Sequence, residues 1–308
     1  TAQQFGTALD VIMDGRDIGD FKREGHKKID LVLKLADTHI ATPEDVAELR
    51  RVLGLDAPLY QRYFRFLGNA LRGDLGTSFT YLEPTIDIVL AHVPATAELA
   101  LAGMAVALLI SIPLGVLASL FQGRALDKIA LTISLLGQSI PVFWLGMMAI
   151  MFFSVWLGWL PTSGYGGFKH LLLPALTLGW FANALITRLV RSCMLEVLGQ
   201  DFITTARSKG IAETFVVLKH AFRNAAIPVV TVAGLQLGSM MGGTVVTEIV
   251  FAWPGVARLT LESIFNRDFP LALTAILFIA FVFIAVNFLV DLTYTIIDPR
   301  VRLEQRTE

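Results

Sequence analysis

Five long apolar runs dominate the last two thirds of this chain, and each is long enough to cross a lipid bilayer as a helix. About 20 mostly apolar residues are needed for that crossing. The runs are Leu99–Leu120, about Ile129–Leu157, about Leu171–Val190, about Ile227–Phe251 and about Leu271–Ile297. The competing reading is a soluble all-α protein with buried helices. Five such helices in succession would leave no polar faces to wrap them, so the expected fold is an all-α membrane bundle.

Charge divides the chain in two. Residues 1–96 carry 11 Lys/Arg and 14 Asp/Glu, whereas residues 97–308 carry 14 and 12 over more than twice the length. The net charge of −1 gives no reason to expect nucleic acid. The single cysteine, Cys193, excludes an internal disulfide and any cysteine-based metal cluster. His26, His39, His92, His170 and His220 are scattered, with no pair at metal-ligand spacing.

Basic residues in the short connections set the orientation. Arg124 and Lys128 mark the first connection, and Lys169 stands alone in the second. Arg191, Arg207, Lys209, Lys219 and Arg223 crowd the third. In the fourth, Arg258 and Arg267 are balanced by Glu262 and Asp268, and the tail at 298–308 carries Arg300, Arg302 and Arg306. The first and third connections and the tail therefore lie inside, and residues before 97 lie outside. An external start must be translocated, yet the apolar groups within residues 1–40 are too short to span.

The third connection is too long for a tight turn. Over 200–223 it reads QDFITTARSKGIAETFVVLKHAFR. Asp201 is placed to cap a helix beginning at Phe202, and Gly210 to end it in a left-handed turn. Arg207 and Lys209 suit the negative helix end. A second amphipathic helix is expected over about Ala212–Arg223, with Phe215, Leu218, Ala221 and Phe222 on one face. Asn224 loosens its end, and Pro228 marks entry to the next span. Such a helix–corner–helix suits docking into a partner's groove, or lying on lipid. The sequence holds no Gly-rich phosphate loop followed by Lys-Ser/Thr, so any nucleotide hydrolysis belongs to another chain.

Several residues interrupt the spans. Ser111, Pro113 and Gly115 fall in the first; Gln138 and Pro141 fall in the second, where a kink and a preference for the bundle interior or a water-filled path are expected. Gly234 and Gly238 share a face of the fourth span and fit either an intrachain contact or a seam with another subunit. Glu248 stands near the outer end of that span and fits a cavity lining or a structural anchor equally well. Asp291, with Asn287 and Tyr294, reads as a structural network. Trp253, before Pro254 and Gly255, fits the membrane interface.

The third connection resembles the EAA loop of ABC-importer permeases. Only Ala206 and Gly210 match the general form, and Thr204 and Thr205 depart from it. The dipeptide, oligopeptide and nickel permeases are more similar: Asp201, Phe202, Thr205, Ala206, Arg207, Lys209 and Gly210 match their DF-x-x-TAR-x-KG opening. Arg223, Asn224, Ala225, Ile227 and Pro228 match the ending. Further stretches agree, from ATPEDVAELRRVLGLDAPLYQRYF at residue 41 to VNFLVDLTYTIIDPRVR at the end, so the resemblance covers about residues 41–303.

It implies a type I permease bundle of six spans, of which five are visible here. Residues 1–40 stand where the first is expected, residues 41–96 are an external segment, and residues 97–297 are the permease domain with a cytoplasmic coupling loop at 191–226. It implies a second homologous permease, two ATPase subunits or domains that bind ATP and Mg, an external substrate-binding protein, and a bacterial or archaeal inner membrane. No catalytic residue, cofactor or metal is expected in the chain itself. Asp201, Thr205, Ala206, Arg207, Lys209 and Gly210 would carry coupling, with Ala206 packing, Lys209 docking and Gly210 forming the corner. Gln138, Pro141 and Glu248 would adjoin the translocation path. Di- or oligopeptides are the expected cargo, with nickel complexes and glutathione as alternatives. An ion-coupled secondary transporter and a membrane scaffold are the readings from other classes.

Overall fold

The computed structural model describes residues 57–297. Expectations for residues 1–40 and for the tail at 298–308 lie outside them, as do the side chains of Asp291 and Tyr294. The chain divides into two compact units, residues 1–75 and 76–308. In the first, α1 (Leu59–Ala70) is an amphipathic helix entered through Pro58.

The second unit is helical. Helix α2 (Thr85–Leu120) leads to α3 (Ala125–Ser139) and α4 (Val142–Ala149), which continues as a π-helical turn at Ile150–Trp156. Helix α5 (Phe168–Leu198) is followed by the short α6 (Asp201–Ser208). Then α7 (Glu213–Phe215), a π-helical segment at Val216–Ala221 and α8 (Phe222–Gly243) run on without a break. Helices α9 (Val245–Val250) and α10 (Val256–Phe265) precede α11 (Phe269–Ile297). Four of these helices are long and apolar enough to cross a membrane, or five with the bent pair α3–α4 counted as one span.

Three expectations are corrected. The helix of the first span begins well before Leu99, at Thr85, and takes in Pro94 and Pro113 without a break. The second is not one kinked helix: α3 and α4 meet at 101° across Ile140–Pro141. Pro141 has no N–H to return to the preceding turn, and Ile140 is extended, so the ladder ends there. Finally, no helix ends near Asn224. Pro228 lies inside α8, and the shift to π-type bonding at 216–221 precedes it on the same rod.

Small residues set how closely the helices pack, since lipid supplies little hydrophobic drive for one helix to meet another. Helix α5 lies against α2 at the centre of the core, where Ala100, Met104, Ala107, Ala182, Ile186 and Val190 are buried. A Cβ on Gly115 would stand 2.6 Å from Val190 Cβ and 2.8 Å from the Thr187 carbonyl oxygen, so only glycine permits this crossing. Gly234 faces Val290, and Gly238 faces Val286 and Asn287. Of the two readings open for that pair, the structure shows the intrachain one, a seam between α8 and α11.

Candidate functional site: an inner elbow, a broken span and an outer cap

The elbow, which the loop charges assign to the inner side, is built on α6. Ile203 is fully buried and Ala206 nearly so, both in the cluster that holds Met194, Val197, Val216 and Val217. The other residues from Asp201 to Lys209 are exposed, Phe202 among them. The helix therefore presents nearly its whole outer surface while two side chains root it.

Its end is a Schellman turn. The Gly210 N–H donates to the Arg207 carbonyl (2.9 Å), and the Ile211 N–H reaches the Ala206 carbonyl (3.4 Å). Gly210 has φ +74°, as the sequence requires of it. Across the corner Arg207 grips Glu213 with two bonds, Nη2 to Oε1 at 2.7 Å and Nε to Oε2 at 3.1 Å. Glu213 accordingly raises the Arg207 pKa.

Asp201 does not cap α6, contrary to expectation. Gln200 occupies the cap position without a side-chain bond, and Asp201 is the first helical residue, where its charge still faces the positive helix end. Thr205 Oγ1 donates back to the Asp201 carbonyl (3.0 Å). Among the described residues no side chain pairs with Lys209. The expected shared face of the next segment is also split: Ala221 is buried, whereas Phe215 and Leu218 are exposed. Five-residue hydrogen bonding rotates those positions apart.

The broken span holds Gln138 and Pro141, both exposed beside the bend. Gln138 Oε1 accepts a bond from Arg188 Nη2 of α5 at 3.3 Å. Below it, Asp127 at the start of α3 takes a bidentate grip from Arg191 (2.7 and 2.8 Å) and accepts the Gly123 N–H at 2.8 Å. Sequence reasoning counted Arg191 only as loop charge and passed over Arg188 and Asp127. An arginine within an apolar run was the available signal for Arg188.

The outer cap centres on Glu248, which is fully buried. Its Oε1 accepts the hydroxyls of Thr96 (2.9 Å) and Thr244 (2.8 Å), and its Oε2 accepts the Arg258 N–H (2.8 Å). Thr96 in turn accepts the Val256 N–H at 2.8 Å. Gly255 passes so close to the carboxyl that a Cβ there would overlap it. Trp253 is wholly buried, not at the membrane interface as expected: its indole N–H donates to the Ala95 carbonyl (2.8 Å) and its ring meets Tyr165 edge-on at 4.9 Å. Asp268 closes the outer side. It accepts the Ser78 hydroxyl, the Thr80 N–H (3.0 Å) and the Leu271 N–H (3.3 Å). Burial pushes the Asp268 pKa up, but the Ser78 hydroxyl and the backbone N–H groups of Thr80, Phe79 and Leu271 outweigh it and hold it below the ordinary aspartate value.

Spanning helices, one of them broken, joined to a short helix that is rooted but outward-facing, make an architecture suited to the membrane subunit of a transporter. The chain belongs to the binding-protein-dependent transport system inner membrane component family, whose model matches residues 111–303. It is 42% identical over 267 residues to the glutathione transport system permease protein GsiC of Escherichia coli K12, covering 85% of this chain and 87% of that one. It is 42% identical over 288 residues to the di/tripeptide transport system permease protein DppB of Pseudomonas aeruginosa, covering 84% and 86%. The inward-facing MetNI methionine ABC transporter shares the fold, with a TM-score of 0.59 at 18% identity over 69% of this chain and 97% of that one.

The chain is thus an ABC-importer permease subunit of the peptide, nickel and glutathione group, a multi-pass inner-membrane protein and a transport subunit with no catalysis of its own. That membership sets aside the ion-coupled transporter and the inert scaffold. Among the described residues no group of three His, Cys, Asp or Glu could hold a metal.

Proposed function

We propose that this subunit conducts short peptides, glutathione among them, and that α6 with the Gly210 corner is where ATPase subunits act on it. The observation that carries the coupling reading is the division of α6: Ile203 and Ala206 are locked in the core, and Phe202, Thr205, Arg207 and Lys209 are presented outward. A docked partner could move this helix only by moving the core with it. Relatives named for glutathione and for di- and tripeptides support the cargo class. Gln138 and Pro141 adjoin the path at the bend. Glu248 stands behind its wall as the anchor of the outer cap, since all of its observed bonds hold the chain to itself. A second permease completes the path, two ATPase subunits or domains power it, and an external binding protein delivers cargo.

Replacing Gly210 with valine tests the coupling reading. The position has open space but a left-handed backbone, which costs a β-branched residue about 1–3 kcal/mol. The expected result is an assembled transporter whose ATP hydrolysis no longer drives uptake. Unchanged uptake of alanyl-alanine with normal substrate-stimulated hydrolysis would refute it. Transport of nickel complexes with no peptide uptake by the wild type would refute the cargo class.

A further inference from the structure

Arg188 is an unusual residue for its place. It lies ten residues before the end of α5 at Leu198 and three before Arg191, which Asp127 holds at the inner connection. Its guanidinium nonetheless reaches Gln138, which stands 13 residues beyond Ala125 along α3, about 20 Å at 1.5 Å per residue and within the span of a hydrocarbon layer of about 30 Å. Ionisable side chains at that depth face the bundle interior or water and pair with a partner. Arg188 is exposed and, among the described residues, meets no carboxylate. It donates to two neutral oxygens at 3.3 Å, its own-turn Ala184 carbonyl and Gln138 Oε1. The contrast with Arg191, three residues on and held by both oxygens of Asp127, is direct.

The surroundings indicate water. Side chains lean toward the start of their own helix. Arg188 on α5 therefore leans outward and Gln138 on α3 inward, and they meet beside the α3–α4 bend. The last carbonyls of α3 lose their ladder there. Irregular backbone at membrane depth is tolerated only against protein or a water-filled cavity. Gln138, Ser139 and Pro141 are exposed, not packed. The exposed stripe of α5 changes character at the same level, from Phe181 and Leu185 to Arg188, Ser192 and Glu196.

We infer that Arg188, steadied by Gln138, is an anion subsite on the translocation path that takes a carboxylate of the passing peptide. This rests on the peptide-permease reading above and adds to it a group that selects on charge. A guanidinium suits the role because its donors match a carboxylate with two parallel bonds. The rival occupant, a carboxylate of the second permease, would make Arg188 an assembly residue instead.

The complete transporter, with its binding protein, is assayed in proteoliposomes for ATP-driven uptake of alanyl-alanine and of its C-terminal amide. Any preference of the binding protein is common to all variants and cancels between them. Arg188→Gln is expected to lower the acid-to-amide uptake ratio tenfold or more, the scale of a charge-assisted bond, with Arg188→Lys recovering part of it and subunit co-purification unchanged. Equal loss for both peptides, or loss of the second permease from the purified complex, would overturn the subsite. If no variant carries the amide, the acid decides: a tenfold fall in Arg188→Gln with recovery in Arg188→Lys supports the proposal, and unchanged uptake overturns it. Wild-type transporter that carries neither peptide would instead defeat the cargo reading, and this inference with it.

Discussion

Thr96→Val is the sharpest probe of the outer cap. Valine has the shape of threonine, so no cavity opens, but one hydroxyl with two bonds is lost. That hydroxyl donates to Glu248 Oε1 at 2.9 Å and accepts the Val256 N–H at 2.8 Å. Leaving a buried N–H without a partner costs about 1–3 kcal/mol, and losing a bond to the buried carboxyl costs a similar amount. Together they come to roughly 2–6 kcal/mol. For a unit of this size, at about 2–4 °C per kcal/mol, that lowers the thermal midpoint by roughly 4–24 °C. The purified protein in detergent is melted while hydrogen exchange is followed in the segment 253–260. The variant should melt earlier and exchange faster at Val256 and Arg258. Thr96→Ser keeps the hydroxyl and should stay near the wild type. A Thr96→Val midpoint within about 2 °C of wild type, with exchange unchanged, would show that the cluster does not hold the cap.

Two further predictions concern packing and acid. Gly115→Ala should destabilise the α2–α5 crossing by about 1–3 kcal/mol, because the new methyl meets Val190 and a backbone oxygen with no room to move; a midpoint equal to wild type would refute the close approach. Asp268 has a lowered pKa in the fold, so its stabilising effect is complete above the ordinary aspartate value of about 3.9 and is lost as pH falls from there through the folded value. Asp268→Asn should therefore melt earlier than wild type at neutral pH, and the gap between the two melting curves should narrow as pH falls below the ordinary aspartate value; a gap independent of pH would refute that reading.

Much of this was legible because apolar run length and loop charge are direct consequences of the bilayer. The Gly210 corner was legible because a left-handed turn leaves few residues to choose from. Harder features depended on partners distant in sequence. Glu248 was open between a cavity and an anchor until Thr96, 152 positions away, was seen to donate to it. Trp253 suited an interface by composition, yet the Ala95 carbonyl and the Tyr165 ring draw it inside. Pro228 was expected to mark the entry to a new span, yet it lies within α8, as Pro94, Pro113 and Pro174 lie within their helices, whereas Pro141, following an extended Ile140, marks a true break.

The unbroken run from Glu213 to Gly243 has a mechanical consequence. At 1.5 Å per residue it is a rod about 46 Å long, the full depth of a bilayer with its headgroups. At one end the Arg207–Glu213 grip ties it to α6; at the other, Thr244 ties it to Glu248. A tilt of about 10° around its midpoint would carry the two ends about 4 Å in opposite directions. A push on the inner elbow would therefore arrive at the outer cap reversed in sign, as at the two arms of a see-saw.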